Sequence, residues 1–292
     1  MDVQLKGKVA LVTGSSRGLG RATAVTLARA GADVVVTYRR NEAQADQVAA
    51  EIAELGRRVW VFPLDLEDMA SIESLFGTIE ADVGGLDIVV CNAAATAFKP
   101  LMEAEARHLR RTFAISVDGF LRTVQLAVPL LEARGGGTII GVSGADTRTY
   151  IPAHGVLAGA KAAMEMMIRY LACELGERGV TMLGVNPATI MGDSIRVMVG
   201  DELYETMAEV DRRTHPFRVN AQTEDIAASI VWLCSPMARW AHGSIVAADG
   251  GSVFAMAGRW ADEATRAALA GGVIAAEDAA GPSTRMSSRA RP

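Results

Sequence analysis

The feature that most constrains this chain is a short β-branched run, Val9–Thr13, that passes straight through Gly14, Ser16, Arg17, Gly18, Leu19 and Gly20 into a helix-forming stretch near 19–30. Glycine is needed where backbone must turn tightly and come close to a pyrophosphate with no Cβ in the way. The helix that follows would present free N–H groups and the positive end of its dipole to the same anion. With a strand before, a helix after and a second strand within about 30 residues, the segment predicts a cradle for the phosphates of a dinucleotide.

The alternation continues along the chain. Short apolar runs recur at Val34–Tyr38, Val59–Phe62, Ile88–Cys91, Thr138–Val142, Met182–Val185 and Ser244–Ala247, with helix-forming stretches near 42–55, 68–82, 103–133, 153–178 and 223–235. Strands that are apolar throughout, separated by helices, predict an α/β fold: one doubly wound domain over residues 1–255 with a parallel, seven-stranded sheet buried on both faces. Residues 256–292 read as an extension with one short helix (Asp262–Ala270) and a polar, arginine-bearing end.

Composition narrows the partners. Half the residues are hydrophobic, enough for a packed core, and the net charge of −5 argues against binding nucleic acid over the whole surface. Three cysteines make no disulfide framework and point to a reducing compartment. No run approaches the ~18 uninterrupted apolar residues of a membrane span, and Gly7 and Gly14 interrupt the amino-terminal apolar stretch, so the expectation is a cytoplasmic protein without a membrane partner. His108, His154, His215 and His242, and Cys91, Cys173 and Cys234, lack the spacing of metal ligands, so no metal site is expected.

The second strand speaks to the cofactor. A site for NAD usually ends that strand in an acid that binds the ribose 2′-hydroxyl. Here it ends in Tyr38, Arg39 and Arg40, with Arg17 nearby in the glycine loop. Guanidinium groups suit a 2′-phosphate, so NADP(H) is expected.

Six segments in order resemble the short-chain dehydrogenase/reductase family over roughly residues 5–254. They are the loop at 13–20, Asp65 with Leu66 in PLDLED, Asn92 and Ala93 in CNAAA, the stretch 157–175 around Lys161, Pro187 and Ile190 in NPATI, and ADGG at 248–251. The resemblance implies a Rossmann sheet and a nicotinamide cofactor contacted by these residues, Lys161 included. It also implies dimers or tetramers packed through the stretches 103–133 and 153–178.

The family's chemistry rests on Asn, Ser, Tyr and Lys, and this chain departs from that set. Lys161 is present, but Leu157 stands four residues before it, where the tyrosine belongs. Gly144 holds the serine position, beside Ser143, and Ser116 holds the asparagine position. Leucine has no proton to give, so the tyrosine mechanism cannot operate. The enoyl-acyl-carrier-protein reductases of the family place their tyrosine seven residues before the lysine, and here that residue is His154, preceded by Tyr150. Seven residues at ~100° each come within ~20° of two full turns, which puts His154 and Lys161 on one helix face. The expected catalytic set is His154, Lys161, Tyr150, Ser116 and Ser143. The expected activity is NADP(H)-dependent reduction of an unsaturated acyl or carbonyl substrate, free or carrier-bound. A non-redox enzyme (cyclase, isomerase or dehydratase) and a non-catalytic cofactor-binding partner stay open as alternatives.

Overall fold

The computed structural model describes residues 3–187, 189–192, 196 and 201–257. Its seven strands are β1 (Val9–Val12), β2 (Asp33–Tyr38), β3 (Val59–Pro63), β4 (Ile88–Cys91), β5 (Gly137–Val142), β6 (Val180–Pro187) and β7 (Ile245–Ala248), in the order β3-β2-β1-β4-β5-β6-β7. Every pairing is parallel. The order reverses between β1 and β4, and at such a switch point the carboxyl ends of the strands open a crevice for a ligand.

Both faces of the sheet are covered, which is why its strands are apolar throughout. Ala10, Val12, Val34, Val36 and Val90 point into one core layer. Val9, Leu11, Val35 and Val89, their neighbours in sequence, point into the other. On the first face α1 (Gly18–Arg29) packs against α2 (Glu42–Glu54) and the later helix Thr223–Leu233. On the second lie α3 (Met69–Thr78), α5 (Gly119–Glu132) and α6 (Gly155–Leu175).

The long helix expected over 103–133 runs over Ala106–Glu132 and carries a π-helical turn. A short α4 (Ala106–Phe113) runs into a π-helical turn at Ala114–Asp118 before α5 begins. A Cβ on Gly119 would lie 2.8 Å from the Leu66 carbonyl oxygen, so the chain passes the β3–α3 connection at a distance that only glycine permits. By length and mean hydropathy alone, Ala106–Glu132 would suffice to cross a bilayer. In this fold it covers the sheet, with Phe120, Val124, Ala127, Val128 and Leu131 buried. Beyond β6 come α7 (Asp201–Thr214), α8 (Thr223–Leu233) and α9 (Ser252–Ala257). The expected helix at Asp262–Ala270 and the polar end of the extension lie outside the described residues.

Candidate active site

The phosphate end is built by the glycine loop. Gly14 has φ +65°, in the left-handed region. A Cβ on Gly20 would meet the Gly14 carbonyl oxygen at 2.3 Å and Asn92 Nδ2 at 2.6 Å. Glycine at 20 therefore lets α1 start against the loop. No side chain caps α1, which leaves the N–H groups of its first turn for an anion. Asn92 ties the far wall down: its side-chain amide donates to the Thr13 carbonyl oxygen at 2.9 Å, and its backbone N–H donates to the Thr13 hydroxyl.

These walls enclose a groove of about 460 Å³. It is lined by Gly14, Ser16, Arg17, Gly18, Leu19, Gly20, Tyr38, Arg39, Asp65, Leu66, Asn92 and Ala93, among others. Twelve expected cofactor residues thus meet at one place, and the bare loop, open helix end and tight Gly14–Gly20 approach fit a dinucleotide. Arg40, Lys161, Pro187 and Ile190 are not on the groove's wall. Pro187 is buried at the end of β6, and Ile190 bridges to Ala221. Arg39 donates to Asp65 Oδ2 at 2.9 Å and lies 3.0 Å from Glu67 Oε1. Arg17 and Arg40 have no ion pair among the described residues.

Most of the expected catalytic residues lie where β5 leads into α6. Lys161 is buried on α6 and donates through Nζ to the Val142 carbonyl oxygen at 2.5 Å. Burial pulls its ammonium down to about 8, against the upward pull of Asp146 and Glu165. Ser116, in the π-helical turn, is buried with its hydroxyl unpartnered. It shares with Lys161, Thr13 and Cys91 a void of about 10 Å³, close to the size that holds one water. Burial pushes the Cys91 thiol up to about 12, so it stays protonated.

The other expected residues have other partners. Ser143 is buried, and its hydroxyl donates to Glu165 Oε1 at 2.6 Å. The Thr147 hydroxyl donates to the same oxygen, and Asn186 Nδ2 donates to the Gly144 carbonyl oxygen and to Thr147 Oγ1. Ser143 thus serves a network that clamps the turn after β5. Tyr150 is 86% exposed, and no hydrogen bond, ion pair or ring contact among the described residues joins it to Lys161 or His154.

His154 sits at the N-cap position of α6 but makes no capping bond. Its Nδ1 instead lies 3.4 Å from Asp146 Oδ2, and its ring lies tilted by 44° against Phe98, with centroids 4.7 Å apart. Asp146, Glu165, Thr147, Asn186 and Phe98 were not among the expected residues. A lone acid in a loop, or one four residues after a lysine on a helix, has the signature of a solvated surface.

A family model described as Enoyl-(Acyl carrier protein) reductase matches residues 14–253. The chain is 34% identical to the 1-cyclohexenylcarbonyl-CoA reductase of Streptomyces collinus, over 84% of this chain and 86% of that protein. Among solved structures it resembles a 7 alpha-hydroxysteroid dehydrogenase complexed with NADH and 7-oxo glycochenodeoxycholic acid: TM-score 0.79, 31% identity, 86% of this chain and 96% of that one. It also resembles the angucycline C-6 ketoreductase LanV with bound NADP: TM-score 0.78, 31% identity, 87% and 98% covered. These relatives are oxidoreductases, and those two structures hold nicotinamide cofactors.

Proposed function

The chain belongs to the short-chain dehydrogenase/reductase family, and from that premise we propose that it is an NADP(H)-dependent reductase of α,β-unsaturated acyl or carbonyl compounds, with a histidine in place of the family's tyrosine. One observation carries the reading. Where Leu157 supplies no proton, the nearby imidazole of His154 is left uncapped at the start of α6 and set against a buried carboxylate. The similarity to a reductase named for an unsaturated acyl thioester supports the substrate class.

In this reading the first turn of α1 and Ser16 bind the pyrophosphate, and Arg17 and Arg39 face the 2′-phosphate. Lys161, anchored on Val142, directs its remaining N–H groups toward the nicotinamide ribose. When bound, the reduced nicotinamide supplies a hydride to the substrate β-carbon. His154 then donates to the carbonyl oxygen as negative charge gathers there, an interaction of ~3–4 kcal/mol for one well-aimed donor. Water delivers the α-carbon proton. Phe98, against His154, and Leu101, whose side chain fills the space beside Gly155, form an apolar wall that suits an acyl chain. Such a reduction asks less of the protein than ketone reduction, where an alkoxide must take a proton directly. The protein acts in the cytoplasm on a free or carrier-bound small molecule, as a dimer or tetramer. Its three free cysteines suit that compartment.

The test is turnover of a panel of enoyl thioesters, enones and ketones with NADPH or NADH. It is followed by loss of reduced-nicotinamide absorbance and by product mass. We expect enoyl or enone products two hydrogens heavier, with NADPH preferred by ~10-fold or more. No nicotinamide consumption with any substrate would sink the reading, and a product of unchanged oxidation state would favour the non-redox alternative.

A further inference from the structure

Gly144 and Asp146 fit each other. Gly144 is extended (φ −158°, ψ 153°), so its backbone asks nothing special of the residue type. What it does provide is room. A Cβ at position 144 would lie 2.5 Å from Asp146 Oδ1 and 3.4 Å from its carboxyl carbon. The Asp146 carboxylate therefore stands in the space that any side chain at 144 would begin to fill. It is 4% exposed, and its Oδ1 is buried without a hydrogen-bond partner among the described residues. A carboxylate oxygen left without a hydrogen bond in a protein interior is costly and calls for a reason.

The surroundings supply one. The Ser143, Thr147, Glu165 and Asn186 network clamps the turn that carries Asp146. On the other side, Ala153 adopts φ +63°, a conformation disfavoured for a residue with a Cβ, and the chain turns there to deliver His154 to the head of α6. Both turns converge on the contact between Asp146 Oδ2 and His154 Nδ1.

We propose that Asp146, seated in the room left by Gly144, is the positioning residue of this site: it holds the Nδ1–H of His154 and so leaves Nε2 as the nitrogen that faces the substrate oxygen. The inference rests on the reading of His154 as the donor. An acceptor at Nδ1 selects one neutral tautomer and fixes the ring plane. When His154 is protonated, Nδ1–H goes to Asp146 and Nε2–H to the developing enolate oxygen. The Nε2–H holds that oxygen until water protonates the α-carbon and the carbonyl re-forms, so the ring gives up no net proton and Asp146 is unchanged. Lys161 of α6 is electrostatically coupled to Asp146, and also to Glu165.

The first test needs no cofactor. Nitrogen-15 spectra of the histidine rings, with His154 assigned through His154→Gln, report the tautomer of the neutral ring. Wild type should show Nδ1–H, and Asp146→Ala should return His154 to the Nε2–H form favoured in water. Gly144→Ala, which leaves Asp146 chemically intact, should do the same by pushing the carboxylate aside. With a turned-over substrate, Asp146→Ala should lower kcat by ~10²-fold or more while KM stays within about threefold. The double variant with His154→Ala should then be no slower than His154→Ala alone. A wild-type Nε2–H tautomer, or additive losses in the double variant, would overturn the proposal. If wild type turns over nothing, the assigned activity fails while the tautomer still decides the role of Asp146.

Discussion

Lys161, the residue proposed to hold the ribose, carries a cost in stability. Its ammonium is buried and drawn down from 10.5 to about 8, with desolvation as the largest cause. The unfolded chain holds that proton up to the ordinary lysine range, whereas the folded chain releases it earlier. Folding is therefore penalised below pH 8, and the penalty fades as pH rises toward 10.5. We expect the unfolding free energy of wild type, relative to Lys161→Met, to move in wild type's favour by on the order of 3 kcal/mol between about pH 7 and 11. Denaturant titrations at several pH values check this, and a difference that does not change with pH would contradict it. The lysine itself was legible, because its neighbours on α6 carry the family's pattern. The depressed pKa was not, since it depends on the burial of Nζ against the Val142 carbonyl, and β5 and the helix meet there only once folded.

Among elements, the junction of β1, the glycine loop and α1 is the most demanding. Gly20→Ala would put a Cβ 2.3 Å from the Gly14 carbonyl oxygen and 2.6 Å from Asn92 Nδ2, and neither neighbour is the free end of a flexible chain. Overpacking of this kind typically costs ~1–3 kcal/mol. We expect Gly20→Ala to lower Tm by several degrees and to weaken NADPH binding at least ~10-fold, measured by cofactor fluorescence. Wild-type Tm and affinity in that variant would show that the loop has more room than its geometry indicates. The element was readable because the strand, the glycines and the helix are contiguous in sequence. The close pass of Gly119 was not, because the Leu66 carbonyl that it meets lies more than 50 residues away in sequence and is brought there by β3.

On the scale of the whole molecule, α4 and α6 keep large apolar side chains at the surface: Leu109 is 43% exposed, Met166 53% and Tyr170 68%. Patches of this sort often belong to interfaces between chains. A stable dimer buries ~1,200–2,000 Å² in total, a scale that two long helices from each subunit can supply. We expect sedimentation of the purified protein to give a dimer or tetramer, and Met166→Glu with Tyr170→Glu to shift it toward monomer while the far-ultraviolet spectrum is unchanged. A wild-type protein that sediments as a monomer at micromolar concentration would refute the expectation.

Local order and layer architecture were written in the sequence. Short runs that are apolar throughout, and longer helix-forming stretches between them, specify which segments become strands and helices. The contiguous glycine loop specifies where phosphates can be held, because both signals act between residues close along the chain. Tertiary structure decided which polar side chains meet. It placed Asp146 in the room at Gly144 and against His154, turned Ser143 to Glu165, left Tyr150 in solvent and sank Lys161 beneath the site. Those outcomes depend on packing, burial and exclusion between segments that only the folded sheet brings together, and none of these has a period or a spacing to read beforehand.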